Sequence, residues 1–504
     1  MIVETAAGRL EGVRDGGALA FLGVPYGADT SGPRRFRPPV RPEAWTGVRA
    51  AGAFGPASPP TLTATDRRYF DRSALWPEYA GWDATTVFSE DCLRLNVWTP
   101  EADGGRRPVL VWLHGGGFSW GSGSSILTRG DALAARHDTV VVTLNHRLGV
   151  LGHLHHPEID GSGVAGLLDL RLALEWVRDE IAAFGGDPGN VTIAGHSGGG
   201  AKVAGLLALP SARGLFHRAI IQSGVVSLRV IDLSEATVTA ARVLAAADVR
   251  PVDVRKLQEL PVDRLTRLAA PYRFRPVADG VELPAHPFDP VAVPTAAGLP
   301  LLIGTTAHDT ATFKFDADPG WEAIGERRLV DLVANHPAAA LGPAAEETVA
   351  AYRDRHPSFS PQELLVEITT DRLRERTRLL AERKLAGGDG DVFLYDFAYE
   401  APMPADTFFA GRRMASHGLE LPFVFDIADR CALAGERSDR IELAGRMSRA
   451  WAAFARHGSP TGPGLPDWPP YDPQRRTTMI FDADPREPWT TSASRPTQRS
   501  APSR

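Results

Sequence analysis

The stretch that decides the fold runs Val191-Thr192-Ile193-Ala194-Gly195-His196-Ser197-Gly198-Gly199-Gly200. Its first four residues are apolar or β-branched and read as a short buried strand. Gly-x-Ser-x-Gly follows, and between a strand and a helix this pattern forces the serine onto a tight turn with its hydroxyl exposed, because glycine tolerates the crowding on either side. Ser197 is thereby a candidate nucleophile. Glycine–serine runs also occur in ordinary loops of a chain with 50 glycines, so the motif needs support from elsewhere.

That support lies upstream. Residues 108–118 read PVLVWLHGGGF, an apolar strand ending in His114-Gly115-Gly116-Gly117-Phe118. Consecutive glycines leave backbone N–H groups able to point into a cavity, where each donor to an oxyanion is worth roughly 3–4 kcal/mol of transition-state stabilisation. The alternative is a turn that only lets two strands approach, but the two motifs in this order match the pairing used by lipases and esterases.

The chain has 504 residues, with 41 prolines spread along its length. Nothing resembles a hinge, so a single large domain over residues 1–488 is expected, decorated by long insertions. Residues 489–504 are polar and lack apolar periodicity, which reads as a disordered tail. A formal charge of −6 without a basic stripe argues against nucleic acid or a membrane surface as partner and suits a small, uncharged substrate. No apolar run reaches the roughly 18 residues of a membrane span. The polar residues of MIVETAAGRLEGV do not suit a signal peptide, and two cysteines, Cys92 and Cys431, allow one disulfide at most. A cytoplasmic monomer or homodimer is the expectation.

Strand-like runs at Val140 to Leu144, Val191 to Ala194 and Ala219 to Gln222 alternate with helical patterns, which argues for an α/β protein with a mostly parallel central sheet flanked by helices. Leu170, Leu174, Val177 and Ile181 recur at helical spacing and predict a helix from about Leu167 to Ala183, stopped by Gly185-Gly186. Ser360-Pro361-Gln362-Glu363 predicts another that runs to about Lys384. Residues 56–90 read as a long surface loop, and no internal repeat is present.

A serine nucleophile needs a base and a carboxylate that fixes the base's tautomer. Of the 14 histidines, His417 stands out in the polar, glycine-bearing loop Ala415-Ser416-His417-Gly418, with an apolar run behind it. Asp309 follows the strand-like Leu301-Leu302-Ile303-Gly304 after a short turn, at a strand's carboxyl end, where such sheets bind ligands. It either supplies the carboxylate or caps the turn. Ser197, Asp309 and His417 fall in the order nucleophile, acid, base.

With these residues in place, the chain resembles the type-B carboxylesterase and cholinesterase-like family of α/β-hydrolases. The likeness runs from Val3 to Asp482 through FLGVPYG from Phe21, SEDCLRLNVWTP from Ser89, VWLHGGGFSWGSGS from Val111, VVVTLNHRLGVLG from Val140, FHRAIIQSG from Phe216 and HGLELPFVF from His417. The resemblance implies an α/β-hydrolase fold, Ser197 as nucleophile, His417 as general base and then acid, and the amides of Gly116, Gly117 and Gly198 as oxyanion hole. It puts Asp309 where the family usually has glutamate, and it matches Ser223 to a serine that supports the acid. His196 stands where the family commonly has glutamate, Gly198 where alanine is usual, and Cys92 matches a half-cystine with no upstream partner here.

The expected reaction is hydrolysis of a small, mostly uncharged carboxylic ester through an acyl-enzyme, with no cofactor or metal. Hydrolysis of amides, carbamates or a xenobiotic ester with the same triad is the alternative, and a non-catalytic interaction protein the more remote one. Phe118, Trp120, Phe313 and Phe423 either line an apolar substrate pocket or pack in the core.

Overall fold

The computed structural model describes residues 1–72, 81–82, 85–224, 228–311, 320–405, 407–462 and 467–482. Ten strands form the main sheet: β1 (Val13–Asp15), β2 (Ala18–Pro25), β3 (Arg94–Thr99), β4 (Arg107–Leu113), β5 (Val140–Leu144), β6 (Gly186–His196), β7 (Arg218–Gln222), β8 (Leu301–Thr306), β9 (Val392–Phe397) and β10 (Met479–Phe481). Their spatial order is β10-β9-β8-β7-β6-β4-β5-β3-β2-β1. Pairing is parallel from β10 to β5 and antiparallel from β5 to β1.

Composition explains the parallel part. β5 is Val-Val-Val-Thr-Leu, buried at every position; β8 is likewise buried throughout and β4 at all but its first residue, as strands covered on both faces are. Each fully buried valine of β5 contributes roughly 1.5–3 kcal/mol. The helices that cover the sheet include α3 (Ala165–Glu180), whose Leu170, Leu174 and Val177 are buried as their spacing predicts. A short 3-10 turn, Ile181–Phe184, follows, and Gly185 at φ +81° ends it. The helix α5 (Pro361–Ala386) begins on the expected capping box: Ser360 Oγ accepts from the Glu363 amide, and the Glu363 carboxylate accepts from the Ser360 amide at 2.7 Å.

Residues 56–90 differ from the surface loop read from the sequence, because they contain a helix, α1 (Ala64–Arg72). Its start is another reciprocal cap. Thr63 Oγ1 accepts from the Asp66 amide at 3.1 Å, while Asp66 Oδ2 accepts from the Thr63 amide at 3.0 Å. Cys92 is buried and free. Among the described residues, no helix is long and apolar enough to cross a membrane. The expected tail, residues 489–504, lies outside the described residues.

Strand register positions the site. Leu113 at the end of β4 pairs with Gly195, and Gln222 at the end of β7 pairs with both His196 and Gly304. The loops after β4, β6, β7 and β8 therefore leave the sheet side by side. A bridge between His308 and Ser416 brings the His417 loop to the same edge.

Candidate active site

Ser197 joins β6 to α4 (Gly198–Leu207) at φ +57° and ψ −121°, a left-handed backbone rare for a residue with a side chain. Its amide donates to the Gln222 carbonyl at 2.7 Å, which fixes the turn to β7. Ser197 is half-buried, while the residues on either side are buried. The turn is tight enough that a Cβ on Gly195 would lie 2.4 Å from the Gly199 carbonyl carbon, so glycine is required there.

The structure brings the candidate residues Asp309 and His417 together. Asp309 Oδ1 lies 2.6 Å from His417 Nδ1, and both side chains are buried. The other oxygen, Oδ2, accepts from Ser223 Oγ at 2.5 Å and from the Thr306 amide at 2.9 Å. Burial alone would push the Asp309 carboxyl up, but the His417 ring and these donors outweigh it and hold its pKa below the ordinary 3.8. A carboxylate so held makes Nδ1 the protonated nitrogen of neutral His417 and leaves Nε2 with its lone pair able to accept a proton.

Gly116 and Gly117 follow β4 at φ +85° and +64°. Their amides, and that of Gly198 at the first turn of α4, have no acceptor among the described residues. The Gly117 backbone lies directly over Gly198, where a Cβ would come within 2.2 Å of the Gly117 carbonyl oxygen. Glycine at 198, where the resemblance leads us to expect alanine, thus permits a close approach of the loop.

His196 is buried with its ring centroid 4.2 Å from that of His417. Burial first, and the nearby His417 second, lower its pKa well below 6.5, so the ring is neutral. Its Nε2 lies 3.7 Å from Oε1 of Glu420, a fully buried carboxyl. Burial and the Asp309 charge raise Glu420 to about 7. Gln222 Nε2 reaches the same oxygen at 3.4 Å, and Trp451 Nε1 donates to Gln222 Oε1 at 3.0 Å. Where the resemblance leads us to expect a glutamate at 196, a titratable carboxyl, that of Glu420, lies beside the His196 ring instead. Glu420 lies in the apolar run Leu419-Glu420-Leu421-Pro422, which marks it as buried but does not point to His196.

The four aromatic candidates separate. Trp120 is half-buried and belongs to a cluster with Phe70 and Trp82, at centroid distances of 5.1 and 6.3 Å. Phe118 is buried and meets His153 edge-on at 5.2 Å. Phe423 is fully buried between Phe397 at 5.1 Å and Tyr399 at 4.9 Å, which makes it core and corrects the pocket alternative. Phe313 lies outside the described residues. A buried pair that the sequence reading missed, Arg147 with Asp169, joins the loop after β5 to α3 through bonds of 2.6 and 2.9 Å.

A carboxylesterase of Geobacillus stearothermophilus superposes with a TM-score of 0.82 at 38% identity, covering 96% of each chain, so the fold is that of the α/β-hydrolases. The model of the carboxylesterase family matches residues 1–499. The para-nitrobenzyl esterase of Bacillus subtilis is 34% identical over 499 residues, covering 96% of this chain and 95% of that one. The phenmedipham hydrolase of Pseudarthrobacter oxydans is also 34% identical, with 93% and 92% covered. The chain belongs to the carboxylesterase family, and it is a hydrolase of carboxylic esters.

Proposed function

We propose that Ser197, His417 and Asp309 act as nucleophile, general base and orienting acid on small, mostly uncharged esters. The observation that carries this reading is the 2.6 Å contact between Asp309 and His417 at the strand edge that also presents Ser197 on its strained turn. Ser197 Oγ attacks the ester carbonyl while His417 Nε2 takes its proton. The carbonyl oxygen gains negative charge facing the amides of Gly116, Gly117 and Gly198, which need no reorganisation to receive it. His417 then protonates the leaving alcohol, and water attacks the acyl-enzyme by the same route to release the acid.

Ester cleavage is favoured over amide cleavage because an alcohol leaves more readily than an amine, and His417 is the proton donor this arrangement offers. Trp120 with Phe70 and Trp82 gives an aromatic wall next to the oxyanion loop, suited to an aryl or alkyl group of the substrate. Two cysteines in the whole chain, with Cys92 buried, suit a reducing cytoplasm. A panel of para-nitrophenyl esters of graded acyl length, run beside aryl amides and carbamates, tests the assignment. Turnover of short-chain esters well above the amides is expected; an amide hydrolysed faster than its ester would reject it.

A further inference from the structure

Lys202 is a buried cation near the site that the reaction above leaves unused. It lies on α4, five residues past Ser197, with 0% exposure. Helical side chains lean toward the N-terminus of their helix, and Nζ accordingly reaches the His114 carbonyl, donating to it at 2.8 Å. His114 is the last residue before the glycine loop. Among the described residues no carboxylate pairs with Lys202.

The imidazoles around it are neutral. His114 and His146 stack at 5.1 Å, each with Nδ1 donating to a backbone carbonyl, of Gly115 and Arg147 respectively. His153, at the end of α2 (Gly149–His153), is as deeply buried. Burial first, with the charge of Lys202 adding to it, lowers the pKa of all three, to about 3 for His153. On α3, the buried Asp169 is committed to Arg147. The Phe118 ring centroid lies 5.8 Å from Nζ. An ammonium buried without a counter-ion costs stability, and burial pulls Lys202 down from 10.5 to about 7. Function is the better explanation of its position.

We propose that Lys202 is a positioning residue for the oxyanion hole: its ammonium ties the His114 carbonyl to α4, holding the glycine-loop amides and the Gly198 amide in one frame, and its unpaired charge lies behind the developing oxyanion. The proposal rests on the oxyanion assignment above. It separates Lys202 from ordinary core packing, because it makes the residue costly for stability and useful for rate.

The test is Lys202→Met in the full chain, with kcat, KM, thermal unfolding and the pH profile measured together. The expected result is a kcat lower by tenfold or more with little change in KM, and a higher Tm. The folded-state pKa lies below the unfolded value, so the unfolded chain binds the extra proton between them. Wild-type stability then rises with pH from about 7 toward 10.5. The Tm advantage of K202M should be greatest below pH 7 and shrink above it. Wild-type kcat/KM should decline as the ammonium loses its proton, and K202M should lack that decline. A variant that keeps wild-type kcat, or one that is less stable at every pH with the wild-type profile, overturns the proposal. If K202M does not fold, wild-type affinity for an aryl trifluoromethyl ketone, which forms an oxyanion adduct on the serine, decides: it should weaken steadily above pH 7, and a flat profile to pH 9 rejects the proposal. Failure of Ser197 to react with an organophosphate would sink the catalytic reading itself, and is a separate result.

Discussion

The imidazoles of His196 and His417 lie 4.2 Å apart, centroid to centroid, with their planes at 49°. The residue just before the nucleophile therefore touches the proposed base directly. A neutral His196 leaves room for the imidazolium that forms when His417 takes the serine proton. His196→Glu would place an anion beside that ring, so the acid limb of the kcat/KM profile should move to higher pH. An unchanged profile would mean that the introduced carboxyl is protonated or points away.

The carboxylate of Asp309 is expected to matter through orientation and charge. Asp309→Asn should lower kcat roughly ten-thousand-fold by favouring the wrong His417 tautomer, with thermal unfolding close to wild type. Ser223→Ala removes only one of the donors to Oδ2, and a lost charge-assisted bond of roughly 1.5–3 kcal/mol corresponds to a ten- to hundredfold decrease. Near-normal activity of the asparagine variant would move the acid role to Glu420.

Gly198→Ala tests the close approach of the oxyanion loop. The added methyl would lie 2.2 Å from the Gly117 carbonyl oxygen, so the loop must retreat and one amide leaves its place. A fall in kcat of roughly a hundredfold at nearly constant KM is expected, read with a para-nitrophenyl ester. Full activity would show that the loop adapts without cost.

Glu420 links the site to stability. Its folded-state pKa of about 7 exceeds the ordinary 4.5, so the native protein holds the proton more tightly than the unfolded chain. Stability is undiminished below the unfolded value and is lost as pH rises through the interval, by about 3 kcal/mol in all. Glu420→Gln should therefore match wild type near pH 4.5 and exceed it above pH 7 in thermal unfolding. Parallel curves across that range would exclude the shift.

Discrimination in favour of cationic substrates should be weak. His196 is neutral, and Glu420 is only partly ionised near pH 7, so no full anion faces the proposed nucleophile from this side. A choline ester and its uncharged isostere should give kcat/KM values within roughly a factor of ten. A hundredfold preference for the choline ester would contradict the charge assignment.

The parts legible in the sequence are those carried by short, local patterns at strand ends. Ser197 and the Gly116–Gly117 loop each announce themselves by backbone chemistry, and Ser360 with Glu363 marks its helix start in the same way. The helix Ala64–Arg72 was equally marked, by Thr63 and Asp66, but the aromatic and irregular surroundings masked it. Contacts between distant segments were not legible. Nothing near Lys202 announces that it meets His114, 88 positions away, and His196 gives no sign of Glu420. Arg147 and Asp169 offered a faint cue, since an acid inside Leu167-Leu168-Asp169-Leu170 needs a partner when its helix is buried. Side-chain packing decided Phe423, whose apolar character suits a pocket wall and a core equally.

The most direct test of the account is stoichiometric reaction with diethyl para-nitrophenyl phosphate, followed by intact-mass measurement and peptide mapping. One diethylphosphoryl group on Ser197 is expected, with loss of esterase activity in step with labelling and no adduct on Ser197→Ala. Full activity in that variant, or a phosphoryl group found on another residue as activity is lost, would contradict it.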